Sequence, residues 1–212
     1  TTIYISHGDP DYYFGLDTLT AAFPNAKVLA SQPTVEHIKQ TADGKLAFWG
    51  PKMGADVPAK TIVPDVLKGD SLMLEGQKLQ VVGLDGKQPD RSFVWIPSIK
   101  AVVGGVVVAE NIHVWMADTQ TAQSHADWLA TLHSIKTLKP KTVVPGHYLG
   151  DGSRSLASVK FTADYIKAFD AETAKAKDSA ALIAAMKKRY PTLGEESSLE
   201  LSAKVAKGEM QW

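Results

Sequence analysis

His7, Asp9 and Asp11 stand two residues apart in the segment Ser6-His7-Gly8-Asp9-Pro10-Asp11-Tyr12-Tyr13. If that loop curls, one imidazole and two carboxylates converge on a point, a donor mixture that suits zinc, iron or manganese. The carboxylates also have a plainer use, because Asp9 or Asp11 could cap a helix starting near Gly15. A second segment, Val143-Val144-Pro145-Gly146-His147, again sets a histidine where an apolar strand runs out. Strand ends that feed loops are where sites are commonly assembled. With no cysteine in the chain, thiolate and disulfide chemistry is excluded, and six histidines and 23 carboxylates are the available ligands.

The elements that must position these residues can be read from the hydrophobic period. Ile3 and Ile5 alternate in a strand that stops at His7-Gly8, and Asp9-Pro10-Asp11 reads as loop. Leu16, Leu19 and Phe23 have helical spacing, ended by Pro24-Asn25, and Lys27 to Ala30 is a short strand. A second helix starts near Pro33, carries Val35 and Ile38, and is expected to break at Asp43-Gly44, with irregular loop from Gly50 to Pro64. Short strands follow at 71–74, 78–84, 92–96, 101–103 and 106–109. Residues 121–138 form a helix with Trp128, Leu129, Leu132 and Ile135 on one face, and 142–144 is a buried strand. From about Ser153 two or three helices remain, with a break at Pro191 and Gly194. Strands framed by helices at both ends define an α+β or layered α/β chain.

Composition narrows the function classes. The 212 residues carry 23 Lys plus Arg against 23 Asp plus Glu, and zero net charge argues against nucleic-acid or membrane-surface binding by bulk electrostatics. At 44% apolar and 22% charged residues the chain is ordinarily globular, and no apolar run approaches the roughly 20 residues of a membrane span. The absence of cysteine, a start inside a strand and a lysine- and alanine-rich tail are compatible with a bacterial export product, and the periplasm is the compartment favoured, with the cytoplasm open.

With the two histidine segments in this order, the chain resembles the metallo-β-lactamase superfamily from Thr1 to about His147. That family's first motif, T-H-x-H-x-D-H-x-x-G, falls on Ser6 to Gly15, and its later P-G-H on Pro145 to His147. Its intervening G-H-T-x-G-S and G-D segments fall near Gly86 to Ser92 and Val103 to Val106. The resemblance implies an α+β fold, an αββα sandwich, in residues 1–152 and a helical C-terminal extension in 153–212. It also implies that strands preceding the first motif are missing here, which leads us to expect a completing chain or a homo-oligomer that covers an open sheet edge.

His7, Asp11 and His147 keep the family's ligand identities. Asp9 stands for the second histidine of the first motif, Tyr12 for its last, Lys87 for the middle histidine and Gly105 for the bridging aspartate. The resemblance therefore implies a hydrolase with an atypical, single-metal site, one zinc ion held among His7, Asp9, Asp11 and His147. Asp11 would also orient water or act as base, and Tyr12 would stabilise an oxyanion. The substrate would be a small ester, lactone, amide or phosphoester. The alternative is a metal-free, non-catalytic homologue serving binding or assembly, in which the Lys87 ammonium lies between Asp9 and Asp11. His113 could reach the site from a neighbouring loop or could be packed by Trp115, while His37, His125 and His133 read as surface or boundary residues.

Overall fold

A computed structural model describes residues 1–212, which divide into two compact units, Thr1–Ser98 and Ile99–Trp212. The first unit opens with β1 (Thr2–Ile5), a single helical turn α1 (Pro10–Tyr13), α2 (Leu16–Ala22) and β2 (Lys27–Ala30). It continues with α3 (Gln32–Met53), β3 (Asp65–Val66), β4 (Ser71–Leu74), β5 (Gln77–Val82) and β6 (Phe93–Ile96). β1, β2 and β3 form a parallel sheet in that order, with Ile5 opposite Ala30, and β4, β5 and β6 are joined antiparallel. Parallel pairing of β1 with β2 requires a crossover, and α1 and α2 supply it.

The first motif is more ordered than its proline and aspartates suggest. Pro10 occupies the first helical position of α1, where its missing N–H costs nothing, and Asp9 is the extended residue before it. Tyr13, Phe14 and Leu16 are buried with Ile5, Ala30, Val35, Ile38 and Ala42, so the turn is fixed by its apolar C-terminal side.

The expected break at Asp43-Gly44 does not occur: α3 runs unbroken for 22 residues. The Ser31 side chain caps its start by accepting from Thr34 N at 3.3 Å. A glycine in a helix interior costs about 1 kcal/mol, which tertiary packing readily offsets. Val35, Ile38 and Ala42 are buried on one side of Gly44, and Leu46, Trp49 and Met53 pack on the same core beyond it.

The second unit contains β7 (Ala101–Val103), β8 (Ala109–Glu110), α4 (Ala122–Thr137), β9 (Thr142–Val144), β10 (His147–Tyr148), α5 (Leu156–Lys175), α6 (Ser179–Arg189) and α7 (Glu196–Ala206). β7 pairs parallel with β9, and β8 with β10. The chain parts at Ser98/Ile99, and the helices after residue 153 belong to this unit: α5 packs on α4, β8 and β9. Trp128, Leu132, Ile135, Tyr165, Ile166 and Phe169 fill its interior. The indole N–H groups of Trp115 and Trp212 each donate to an Asp118 carboxylate oxygen at 2.7 Å, and the two rings meet edge to face. No helix is long and apolar enough to cross a membrane.

Candidate functional site

β1 delivers His7 to the interior of the first unit, where its ring is 1% exposed. Nδ1 lies 2.9 Å from Ser6 Oγ, Nε2 is buried without a hydrogen-bond partner, and the Tyr12 ring meets the imidazole edge to face at 5.2 Å. Burial pushes the His7 imidazole down to about 4, because the charged form would lose its water. Asp9 opposes that shift and Arg91 reinforces it, so His7 is neutral at pH 7.

Asp9 is engaged from α3. Lys45 Nζ donates to Asp9 Oδ1 at 3.1 Å and to Gly8 O at 3.0 Å, and lies 3.2 Å from His37 Nε2. An ammonium has three N–H donors, and here each faces an acceptor. Burial alone would raise the Asp9 carboxyl, but Lys45 and Arg91 outweigh it and hold it below the ordinary carboxylate range. His37 and Lys45 are eight residues apart on α3 and so share a face. The Asp90 carboxylate lies 3.6 Å from His37 Nδ1, which favours the tautomer with Nδ1 protonated and Nε2 accepting. Gly8 admits the His37 ring: a Cβ there would stand 2.5 Å from His37 Cδ2.

Asp11 lies exposed in the first turn of α1, and neither Asp9 nor Asp11 caps α2, whose N-cap is Gly15. The Tyr12 hydroxyl is pushed well above the usual phenol range by burial, with the charges of Asp11 and Asp9 adding to it, so it stays protonated. Lys87, expected between Asp9 and Asp11, is exposed; the ammonium on Asp9 is that of Lys45.

The remaining site candidates belong to the second unit. His147 is half-buried in β10, with its backbone in register with Ala109. Gly105 takes a φ of 52°, a left-handed conformation that glycine adopts freely, and its carbonyl accepts from Gly146 N at 3.1 Å, fixing the turn before His147. His113 is buried, its Nδ1 3.0 Å from the Tyr165 hydroxyl, and burial lowers its affinity for a proton. His125, expected near the surface, is also buried and meets Asp170 at 2.6 Å, whereas His133 is exposed. Glu110 is a buried carboxylate bonded to Ser153 N at 3.0 Å and Ser158 Oγ at 2.8 Å. It ties β8 to the start of α5.

A family model described as the metallo-beta-lactamase superfamily matches residues 1–147. The chain belongs to the metallo-β-lactamase superfamily. Solved structures of similar fold include a metallo-beta-lactamase family protein from Thermus thermophilus, with a TM-score of 0.63, 15% identity and coverage of 99% of this chain and 74% of that one. A beta-lactamase domain protein from Burkholderia ambifaria gives 0.61 at 16% identity, covering 97% of this chain and 66% of that one. A metallo-beta-lactamase from Pontibacter korlensis gives 0.56 at 18% identity, covering 79% and 69%. Among curated proteins none matches the sequence. Membership in the metallo-β-lactamase superfamily points to hydrolase-type function, and the structural likenesses, at these identities, speak for the fold.

The superfamily typically binds zinc. No group of three or more His, Asp or Glu side chains in the structure is arranged to hold a metal ion. The Asp9 carboxylate is paired instead with the internal Lys45 ammonium. Lys45, His37 and Arg91 are the residues that sequence reasoning missed. The signal for the first two was their spacing of eight on one helix, hidden by the expected break at Asp43-Gly44.

Proposed function

We propose that this chain keeps the metallo-β-lactamase scaffold as a metal-free binding or assembly module at its first motif. The observation that carries the reading is the Lys45 ammonium 3.1 Å from Asp9 Oδ1. The largely buried Asp9 carboxylate at the end of β1 needs a cation, and Lys45, with Arg91 nearby, supplies the charge that a metal ion would otherwise bring. Burial keeps the Tyr12 hydroxyl beside this loop protonated.

A second reading is favoured by the retained histidines. His7 presents a buried, neutral imidazole whose Nε2 has no hydrogen-bond partner, and His147 stands at the Pro-Gly-His turn. On this reading the chain is a hydrolase of small esters, lactones, amides or phosphoesters with a single zinc, and Asp11 and Tyr12 serve as base and oxyanion donor.

Metal content of protein purified without chelator, followed by zinc titration and assay of a generic ester and a lactam, separates the two. Zinc uptake below 0.1 equivalent in the purified protein, at the level of the variant His147→Ala, with no zinc-dependent turnover, supports the metal-free module. About one tightly held equivalent that His147→Ala loses, together with turnover, overturns it in favour of the hydrolase.

A further inference from the structure

We propose that Gly8 O, Asp9 Oδ1 and His37 Nε2 form a cation cradle of which the Lys45 ammonium is the built-in occupant, so that removing this ammonium turns the cradle into a divalent-metal site. The inference rests on the metal-free reading of the first motif. Three acceptors of different chemistry converge on one atom, Lys45 Nζ, at 3.0, 3.1 and 3.2 Å. They come from two separate segments, the loop after β1 and the middle of α3.

The cradle is a built feature. The Lys45 and Asp9 side chains are only 11% and 20% exposed, so the charges meet in a medium where an unpaired one is costly. Asp90 beside His37 Nδ1 leaves Nε2 as the lone pair facing the cation. Gly8 lacks the Cβ that would strike the His37 ring. A carboxylate oxygen, a carbonyl oxygen and an imidazole nitrogen also form a competent donor set for zinc or cobalt. Metal bonds of about 2.0–2.2 Å would require each donor to close by about 1 Å on the vacated point. His37, which no sequence motif marks as a ligand, is the residue that distinguishes this cradle from the set His7, Asp9, Asp11 and His147.

The test uses full-length Lys45→Met, which keeps much of the side chain's length and removes its charge, with Lys45→Gln as a second variant. Each is titrated with cobalt, followed by visible absorption, and with zinc, followed by calorimetry. The expected result is one equivalent bound at least tenfold more tightly than by the unmodified chain, with that gain lost when His37→Ala is added. Folded Lys45→Met and Lys45→Gln proteins that bind no more tightly than the unmodified chain overturn the proposal, as does a gain indifferent to His37→Ala. If both variants are unfolded in chelator, zinc is expected to restore their far-ultraviolet dichroism, and failure to do so overturns it equally. Tight zinc in the unmodified chain that is sensitive to His147→Ala and not to His37→Ala would defeat the metal-free reading. Metal-indifferent Lys45 variants of a metal-free chain would defeat the cradle alone.

Discussion

Lys45 Nζ stands 3.1 Å from Asp9 Oδ1, joining the middle of the long helix α3 to the loop just beyond β1. Breaking a largely buried pair by removing one partner leaves an uncompensated charge, which costs about 3 kcal/mol. Lys45→Met is expected to lower stability in urea by that amount, and Asp9→Asn in the same chain to recover part of the loss. The double-mutant cycle gives the coupling directly. Additive effects of the two changes would show that the pair contributes no interaction of its own.

The contact between Gly8 and the His37 ring is steric. Gly8→Ala forces a Cβ to 2.5 Å from His37 Cδ2, so the His37 ring, the loop or the helix must shift. Overpacking of this kind costs about 1–3 kcal/mol. The cost is expected to fall when His37→Ala is present, measured by denaturant unfolding of the single and double variants.

Acid should weaken the metal-free fold through His7. Its imidazole is held at about 4 in the folded chain against an ordinary 6.5, so the unfolded chain takes up the proton first as pH falls. The stabilisation from keeping His7 neutral is complete above 6.5, declines between 6.5 and 4, and levels off below. A shift of this size corresponds to a loss on the order of 3 kcal/mol. Chelator-treated protein unfolded in urea from about pH 7 to about pH 4 should show that slope, and His7→Gln should flatten it. An unchanged slope in His7→Gln would assign the pH dependence to other groups.

Glu110 anchors the start of α5 in the second unit. Burial would raise its carboxyl, but the hydrogen bonds from Ser153 and Ser158 outweigh that and lower it. Its contribution is therefore present above the ordinary carboxylate value and is lost as pH falls through the lowered one. Glu110→Ala is expected to cost about 2 kcal/mol, the scale of hydrogen bonds to a charged group. Faster amide exchange over residues 153–160 is the measurement that localises it.

Much of the fold was legible because its signals are local. The strand at 101–103 and the apolar stripe of 121–138 follow from residue period alone, and the break at Pro191 and Gly194 falls between α6 and α7. The interruption expected in α3 was a local signal overruled by packing: Gly44 is a poor helix residue, but buried residues before it and partly buried ones after it hold the helix on one core. The loop at Asp9-Pro10-Asp11 became a helical turn for a similar reason, since Tyr13 and Phe14 are buried.

The site was legible only in part. His7, Asp9 and Asp11 announce themselves by spacing, but which cation meets Asp9 depends on a contact across 36 residues that no local pattern encodes. Lys87 falls at a motif position, but the structure supplies Lys45, because α3 passes directly beside Gly8. His125 shows the same limit, its partner Asp170 lying on a different helix 45 residues away.

The glycine at position 8 also constrains the order in which this chain can drift. A lineage that first shortens residue 37 opens room for a side chain at 8, so the later change is nearly free. The reverse order passes through a clashing intermediate that selection for stability would remove. Homologues bearing a larger residue at 8 should therefore carry something smaller than histidine at 37, a paired substitution that would record the shared space in ancestry.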